Sequence, residues 1–291
     1  MQRIEVEVEG GRLAAFRMGS ERADAPVVLA IHGITSSSRT WLATARALGD
    51  RAALVAVDLR GRADSRELPP PFGLDAHVRD MVAVLDQLGL ERAVVTGHSL
   101  GAYIAARLGH RHPERASRLV LVDGGLIIPG SREADPEQFM EAFLAATLAR
   151  LHMTFADLDA YVAWWEAHPA LAGADIAPAD LREYAAHDLV GEPPELHTSI
   201  GSRVVREDGL DVVGDPDAER LTRPAVLLCA PRGMVDDPHP MQPLDLVRDW
   251  AAEAPDRRRA VPVPDVNHYT IVLGASGARA VAAAIVEATA G

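Results

Sequence analysis

Four short strand-like runs, mostly apolar or β-branched, at residues 26–31, 52–57, 92–96 and 119–122, restrict this chain to few folds. Each is continuous rather than alternating, and each stops at a glycine or a polar residue. The first three are followed by helical spacings of apolar residues at 40–48, 75–88 and 102–111. A strand without polar alternation needs cover on both faces, and parallel sheets get that cover from the helices crossing between their strands. The pattern therefore predicts an α/β fold whose parallel sheet is wound by right-handed crossovers.

On either side of this rhythm the pattern changes. Residues 4–8 and 13–17 alternate around Gly10-Gly11 and predict an antiparallel hairpin at one edge of the sheet. After Gly125 the strand signal disappears, and helical patterns at 136–152, 155–166 and 178–187 are separated by proline and glycine. Sheet rhythm returns at 225–229, with a helix over 244–252, a strand over 259–263 and a last helix over 275–290. The expected organisation is a core domain of residues 1–125 and 223–291, interrupted by a helical cap at 126–222. With 48% apolar residues in 291, a sizeable core is available.

The third run leads into Gly97-His98-Ser99-Leu100-Gly101 and then a helical pattern. Gly-x-Ser-x-Gly between strand and helix is the setting for a nucleophilic serine, because a sharp turn lifts the hydroxyl off the sheet and small neighbours let the backbones pass. Serine needs a base within hydrogen-bond reach and a third group to orient that base. Of eleven histidines, His268 lies in a loop after the last strand, at the carboxyl edge where parallel α/β sheets bind ligands. His98 is set aside as base, since neighbours at an elbow diverge. Acyl transfer also needs donors for the oxyanion. The Leu100 N–H and the Ile34 N–H, the latter in the loop after the 26–31 strand, are the candidates, with His32 bonding within that loop.

Composition bounds the chemistry further. A formal charge of −13 argues against non-specific binding to nucleic acid or anionic membrane, both of which need clustered cations. All 29 basic residues are arginine, so lysine Schiff bases and lysine general bases are excluded. The single cysteine, Cys229, excludes an internal disulfide and ends an apolar run, which predicts a buried thiol. No apolar stretch reaches about 18 residues, so a soluble, cytoplasmic protein is expected. Neither metal-ligand spacing nor a nucleotide-binding glycine loop is evident, so no cofactor and no metal are expected.

His32-Gly33 after one strand, Asp58-Leu59-Arg60-Gly61 after the next, the elbow at Gly97–Gly101 and Asn267-His268 near the end together resemble the α/β-hydrolase family, in the family's order and over nearly the whole chain. The resemblance implies an eight-stranded, mostly parallel sheet with a helical cap between the sixth and seventh core strands, and a serine–histidine–acid triad. Two departures stand out. Relatives often have glycine where Ala63 stands, and Gly233 occupies roughly the place of the usual acid after the seventh strand. Asp236 would serve if that loop is longer than usual, and Asp123 would serve from the end of the sixth strand. The order of preference is Asp236, then Asp123, then Asp237.

The expected substrate is a small, uncharged or apolar ester, lactone or thioester, cleaved through an acyl-enzyme on Ser99. Trp164 and Tyr269 are the candidates to contact it, with Phe139, Phe143 and Trp165 offered for either pocket or core. The same scaffold also serves lyases, transacylases, cyclases and non-catalytic small-molecule receptors, which form the alternative reading.

Overall fold

The computed structural model describes residues 1–213 and 217–290; residues 214–216, within the expected cap, and Gly291 lie outside that description. The chain begins with β1 (Gln2–Val8) and β2 (Gly11–Gly19), which pair antiparallel as the alternating pattern predicts. Then β3 (Val27–Ile31), α1 (Leu42–Leu48), β4 (Ala53–Val57), α2 (Leu74–Gln87), β5 (Ala93–His98), α3 (Leu100–Arg111) and β6 (Ala116–Val122) follow. Between β6 and the next sheet strand lie α4 (Pro136–Leu151), α5 (Leu158–Ala167), α6 (Pro178–Asp188), the two-residue strands β7 (Leu189–Val190) and β8 (His197–Thr198), and α7 (Ser202–Val212). The core resumes with β9 (Ala225–Cys229), α8 (Leu244–Ala252), β10 (Arg258–Pro262), α9 (Thr270–Leu273) and α10 (Ala275–Ala290).

Eight strands form one sheet in the order β1-β2-β4-β3-β5-β6-β9-β10. Pairs from β4 onward are parallel, and β2 runs antiparallel to both β1 and β4. The continuous apolar runs now have their explanation. Leu29, Val55, Val95, Leu119, Leu121 and Leu227 pack on the face covered by α2, α3 and α8. Their neighbours Val28, Leu54, Val94, Val120 and Leu228 pack on the face covered by α1 and α10. Successive residues of a strand point to opposite faces, so two buried faces need two apolar sets. A third, smaller cluster joins Met140 and Leu144 of α4 to Val204 and Val205 of α7.

Helix α7 was absent from the sequence reading. Its apolar positions fall on one face but are few, and Arg203, Arg206, Glu207 and Asp211 dominate the segment. The helices between β6 and β9 are tied to the core by polar contacts: Arg39 to Glu183 at 3.0 Å, Arg46 to Asp180, and His187 to Asp58 at 2.7 Å. Among the described residues no helix is long and apolar enough to cross a membrane.

Candidate active site

Strand β5 ends at His98, and Ser99 sits in the left-handed region with φ 54° before α3 begins. The strain is tolerated because the surroundings leave no alternative. A Cβ on Gly97 would lie 2.0 Å from the Gly101 carbonyl oxygen, and one on Gly101 would lie 2.1 Å from that of Ile31. Only glycine fits at either place, so the helix start is pressed directly onto the sheet. The first amides of α3 consequently face the space beside Ser99, where a helix N-terminus favours negative charge.

His268 follows β10 in a loop built by its neighbour Asn267. The Asn267 Oδ1 accepts from the Tyr269 and Thr270 N–H groups at 3.0 and 2.9 Å, and its Nδ2 donates to the Ala170 carbonyl at 2.8 Å. The His268 Nδ1 donates to Asp123 Oδ2 at 2.7 Å. The other Asp123 oxygen accepts from the Ala230 N–H at 3.0 Å, and the carboxylate is fully buried. With Nδ1 committed as donor, Nε2 carries the free lone pair that a general base uses.

The carboxylate that meets His268 is thus that of Asp123, not that of Asp236. Asp236 accepts from the Asn267 side chain at 2.9 Å and pairs with Arg232 at 3.0 Å, so it braces the loop that carries the histidine. Asp237 is turned to its own loop, accepting from the His239 N–H at 2.9 Å. The reason lies in the strand ends. Asp123 stands directly after β6, the neighbour of β5, with φ 46°, and the left-handed turn starts the chain away from the sheet edge beside Ser99. A Cβ on Gly124 would lie 2.6 Å from the Ser99 carbonyl oxygen, which shows how closely the two strand ends approach.

The loop after β3 covers the other side. A Cβ on Gly33 would lie 3.2 Å from the Ser99 Cβ. His32 is buried, accepts the Leu59 N–H on Nε2 at 3.0 Å and donates from Nδ1 to the Gly33 carbonyl at 2.7 Å. Its tautomer is thereby fixed and its ring neutral. Burial lowers its pKa to about 4, outweighing the nearby Asp58 carboxylate. In a trans peptide C=O and N–H point in opposite directions, so holding the Gly33 oxygen inward turns the Ile34 N–H outward. Neither the Ile34 N–H nor the Leu100 N–H has a backbone acceptor among the described residues. His98 is buried beside Ser99, donates from Nε2 to the His268 carbonyl at 2.8 Å, and lies ring to ring with His268 at 4.7 Å. Burial first, and the His268 ring second, hold its pKa well below the ordinary value.

Ser99, His268, Ile34, Leu100 and Tyr269 line one cavity, with about 640 Å³ of space unfilled by atoms, its mouth included. Its remaining wall is largely apolar, with Met140, Phe143, Leu144, Met234 and Met241 prominent, and among the described residues no arginine, aspartate or glutamate lines it. An outer groove shares Phe143, Met234 and Tyr269 with the cavity and adds Phe139. Trp164 is not on either wall; it packs against Phe155, Tyr161, Trp165 and His168. Trp165 is buried in the same aromatic cluster. The sequence reading missed Met140, Tyr184 and Gly209 on the cavity wall, for these come from three separate helices and share no local spacing. Asp58, Asp64 and His187 bring ligand atoms within 4.8 Å of one another. The Asp58 oxygens are already engaged by the Ser38 and Asp64 N–H groups and by His187, which reads as a latch between β4 and α6.

The sequence model of the family described as alpha/beta hydrolase fold matches residues 26–189, more than half of the chain. The chain belongs to the α/β-hydrolase fold family. Among curated relatives, it is 41% identical over 100 residues to the protein named "Putative carbamate hydrolase RutD" of Caulobacter segnis, covering 34% of this chain and 38% of that one. It is 35% identical over 119 residues to Lipase LipV of Mycobacterium tuberculosis, covering 41% and 44%. The matches thus span less than half the length of these relatives. The crystal structure of E-2-(acetamidomethylene)succinate hydrolase superposes with a TM-score of 0.79 at 20% identity, over 100% of this chain and 99% of that one, a likeness of fold.

Proposed function

We propose that this chain is a serine hydrolase that cleaves a carboxylic ester, lactone or thioester of an uncharged, apolar small molecule. The observation that carries the reading is the 2.7 Å hydrogen bond from His268 Nδ1 to the buried Asp123, beside a serine elbow on the same cavity. In this reading His268 Nε2 takes the Ser99 proton as Oγ adds to the substrate carbonyl. The oxyanion is received by the Ile34 and Leu100 N–H groups, each such donor contributing roughly 10²- to 10³-fold in rate. Collapse expels the alcohol or thiol with the proton from His268, and water then attacks the acyl-enzyme by the same route in reverse.

The uncharged wall supports the substrate class. A carboxylate-bearing substrate would need a cation, and among the described residues no arginine lines this cavity. Helices α4 to α7 act as the cap, with α4 and α7 closing the cavity over Ser99. A second reading, cleavage of a carbamate, rests on the likeness to the Caulobacter protein and uses the same residues. A fluorophosphonate probe is expected to label the wild type and not Ser99→Ala, with labelling that survives in Ser99→Ala overturning the assignment. A panel of neutral p-nitrophenyl esters, lactones, thioesters and carbamates then separates the two readings by kcat/KM.

A further inference from the structure

Three consecutive carbonyl oxygens of the loop that faces Ser99 are each held by a buried side chain. The first, at Gly33, is held by His32. The next two are held by arginines. Arg62 is fully buried and donates from Nε and Nη2 to the Ile34 oxygen at 3.1 and 3.0 Å. Arg150, 2% exposed, donates from Nη2 to the Thr35 oxygen at 2.8 Å.

Neither arginine stands alone. Arg62 Nη1 pairs at 2.6 Å with Asp208 of α7, whose carboxylate also takes the Gly73 N–H and the ring of His77. The charges and hydrogen bonds around Asp208 hold its carboxyl far below the usual range despite burial. Arg150, on α4, pairs at 2.5 Å with Asp188 at the end of α6, and the Tyr161 hydroxyl of α5 donates to the same oxygen at 2.5 Å. Burying two such ion pairs costs several kcal/mol of desolvation per ion, and apolar replacements are often as stable. Their directional contacts with the loop are the return on that cost.

Resting on the hydrolase reading above, we infer that Arg62 and Arg150 are positioning residues for the oxyanion hole, through which the helices between β6 and β9 set the orientation of the Ile34–Thr35 peptides. The mechanism is geometric. Fixing the Ile34 oxygen fixes the plane of the Ile34–Thr35 peptide, and fixing the Thr35 oxygen fixes the next one. With His32 holding the Gly33–Ile34 peptide and Arg62 the one after it, Ile34 is held from both sides, and Arg150 steadies the next peptide, so the Ile34 N–H waits at the place where charge develops and does not reorient during the reaction. The acids that anchor the arginines sit on α6 and α7, so displacing those helices slackens the loop without touching Ser99 or His268. Neither arginine touches the reacting atoms, and both act through the loop backbone.

The experiment uses the full chain, with Arg62→Lys, Arg150→Lys and Tyr161→Phe. A lysine keeps the charge but cannot make the paired contacts of a planar guanidinium, and Tyr161→Phe removes one hydroxyl from the Arg150 network without itself contacting the loop. Steady-state kinetics on a p-nitrophenyl ester are normalised to folded protein by circular dichroism and thermal melting. Arg62→Lys is expected to lower kcat about 10- to 100-fold with KM within about threefold, and Tyr161→Phe to lower kcat about threefold. The rate of phosphonylation by a fluorophosphonate, whose phosphoryl oxygen also needs the hole, is expected to fall in parallel. If the lysine variants do not fold, Tyr161→Phe carries the test. Unchanged kcat in folded variants, with only a lower melting temperature, overturns the inference while leaving the hydrolase reading standing. Absence of any wild-type labelling or turnover overturns both.

Discussion

Asp123 and Asp236 separate two roles that the sequence alone makes look alike. Each is an acid in a left-handed turn past the end of a sheet strand, but only Asp123 is fully buried with both oxygens committed, one of them to His268. Replacing it by asparagine preserves shape and removes the group that fixes the tautomer of His268. Asp123→Asn is expected to lower kcat on a p-nitrophenyl ester by about 10³- to 10⁴-fold with little change in melting temperature. Asp236→Asn loosens a hydrogen bond to Asn267 and an ion pair that is about one-third exposed, so a loss of less than tenfold is expected. The reverse order, with the larger loss at Asp236, would reject this arrangement. Cys229 needs no such role. Its thiol is buried, and burial raises its pKa to about 11, so a thiol reagent at pH 8 is expected to react only after unfolding.

At the scale of elements, the strand–turn–helix at β5 and α3 is where local sequence speaks most clearly. Gly97 and Gly101 are required by backbone contacts on the spot, so the pattern is visible in five residues. The strands were legible for the same kind of reason, because two buried faces leave few polar residues in each run. The acid partner was not legible, since its choice depends on the neighbouring of β5, β6 and β9, a fact of sheet order that spacing along the chain does not carry. Nor were Arg62 and Arg150, whose acids, Asp208 of α7 and Asp188 of α6, lie far along the chain and share no local spacing with them. The Ala63 departure from the family pattern also acquires a meaning. Ala63 has φ 44°, is buried, and donates its N–H to Ser199. A left-handed alanine costs roughly 1–2 kcal/mol, part of which glycine returns as unfolded-chain entropy. Ala63→Gly is therefore expected to stabilise the protein by about 0.5–1 kcal/mol in urea denaturation. Gly101→Ala, which drives a methyl into the Ile31 backbone, is expected to cost more than about 3 kcal/mol. A lower urea midpoint for Ala63→Gly would mean that the turn is not strained.

For the whole molecule, the polar groups buried at the carboxyl edge of the sheet make stability depend on acid in two separate windows. His32 has an ordinary value of 6.5 and is held at about 4 in the fold. Between these values the unfolded chain binds the extra proton and the folded one does not, so stability is complete above about 6.5 and declines as the pH falls toward 4. The full difference is roughly 3 kcal/mol. His98, also held neutral, acts in the same direction. Asp58 behaves differently. Burial pushes its carboxyl up, but the hydrogen bond and charge of His187, with His32 and the Ser38 N–H, leave it below its ordinary 3.8, so its contribution is lost only in stronger acid. A net charge of −13 shrinks toward zero as the pH approaches 5.3 and relieves self-repulsion over the first window. The useful measurement is therefore a difference. Urea unfolding of the wild type and of His32→Gln, whose side-chain amide can still donate to Gly33, is compared at pH 7.5 and 4.5. The wild type is expected to lose about 2–3 kcal/mol more than the variant between the two. Parallel pH dependence in the two proteins would show that His32 is free to protonate in the folded state, and that the loop over Ser99 is not held by a neutral ring.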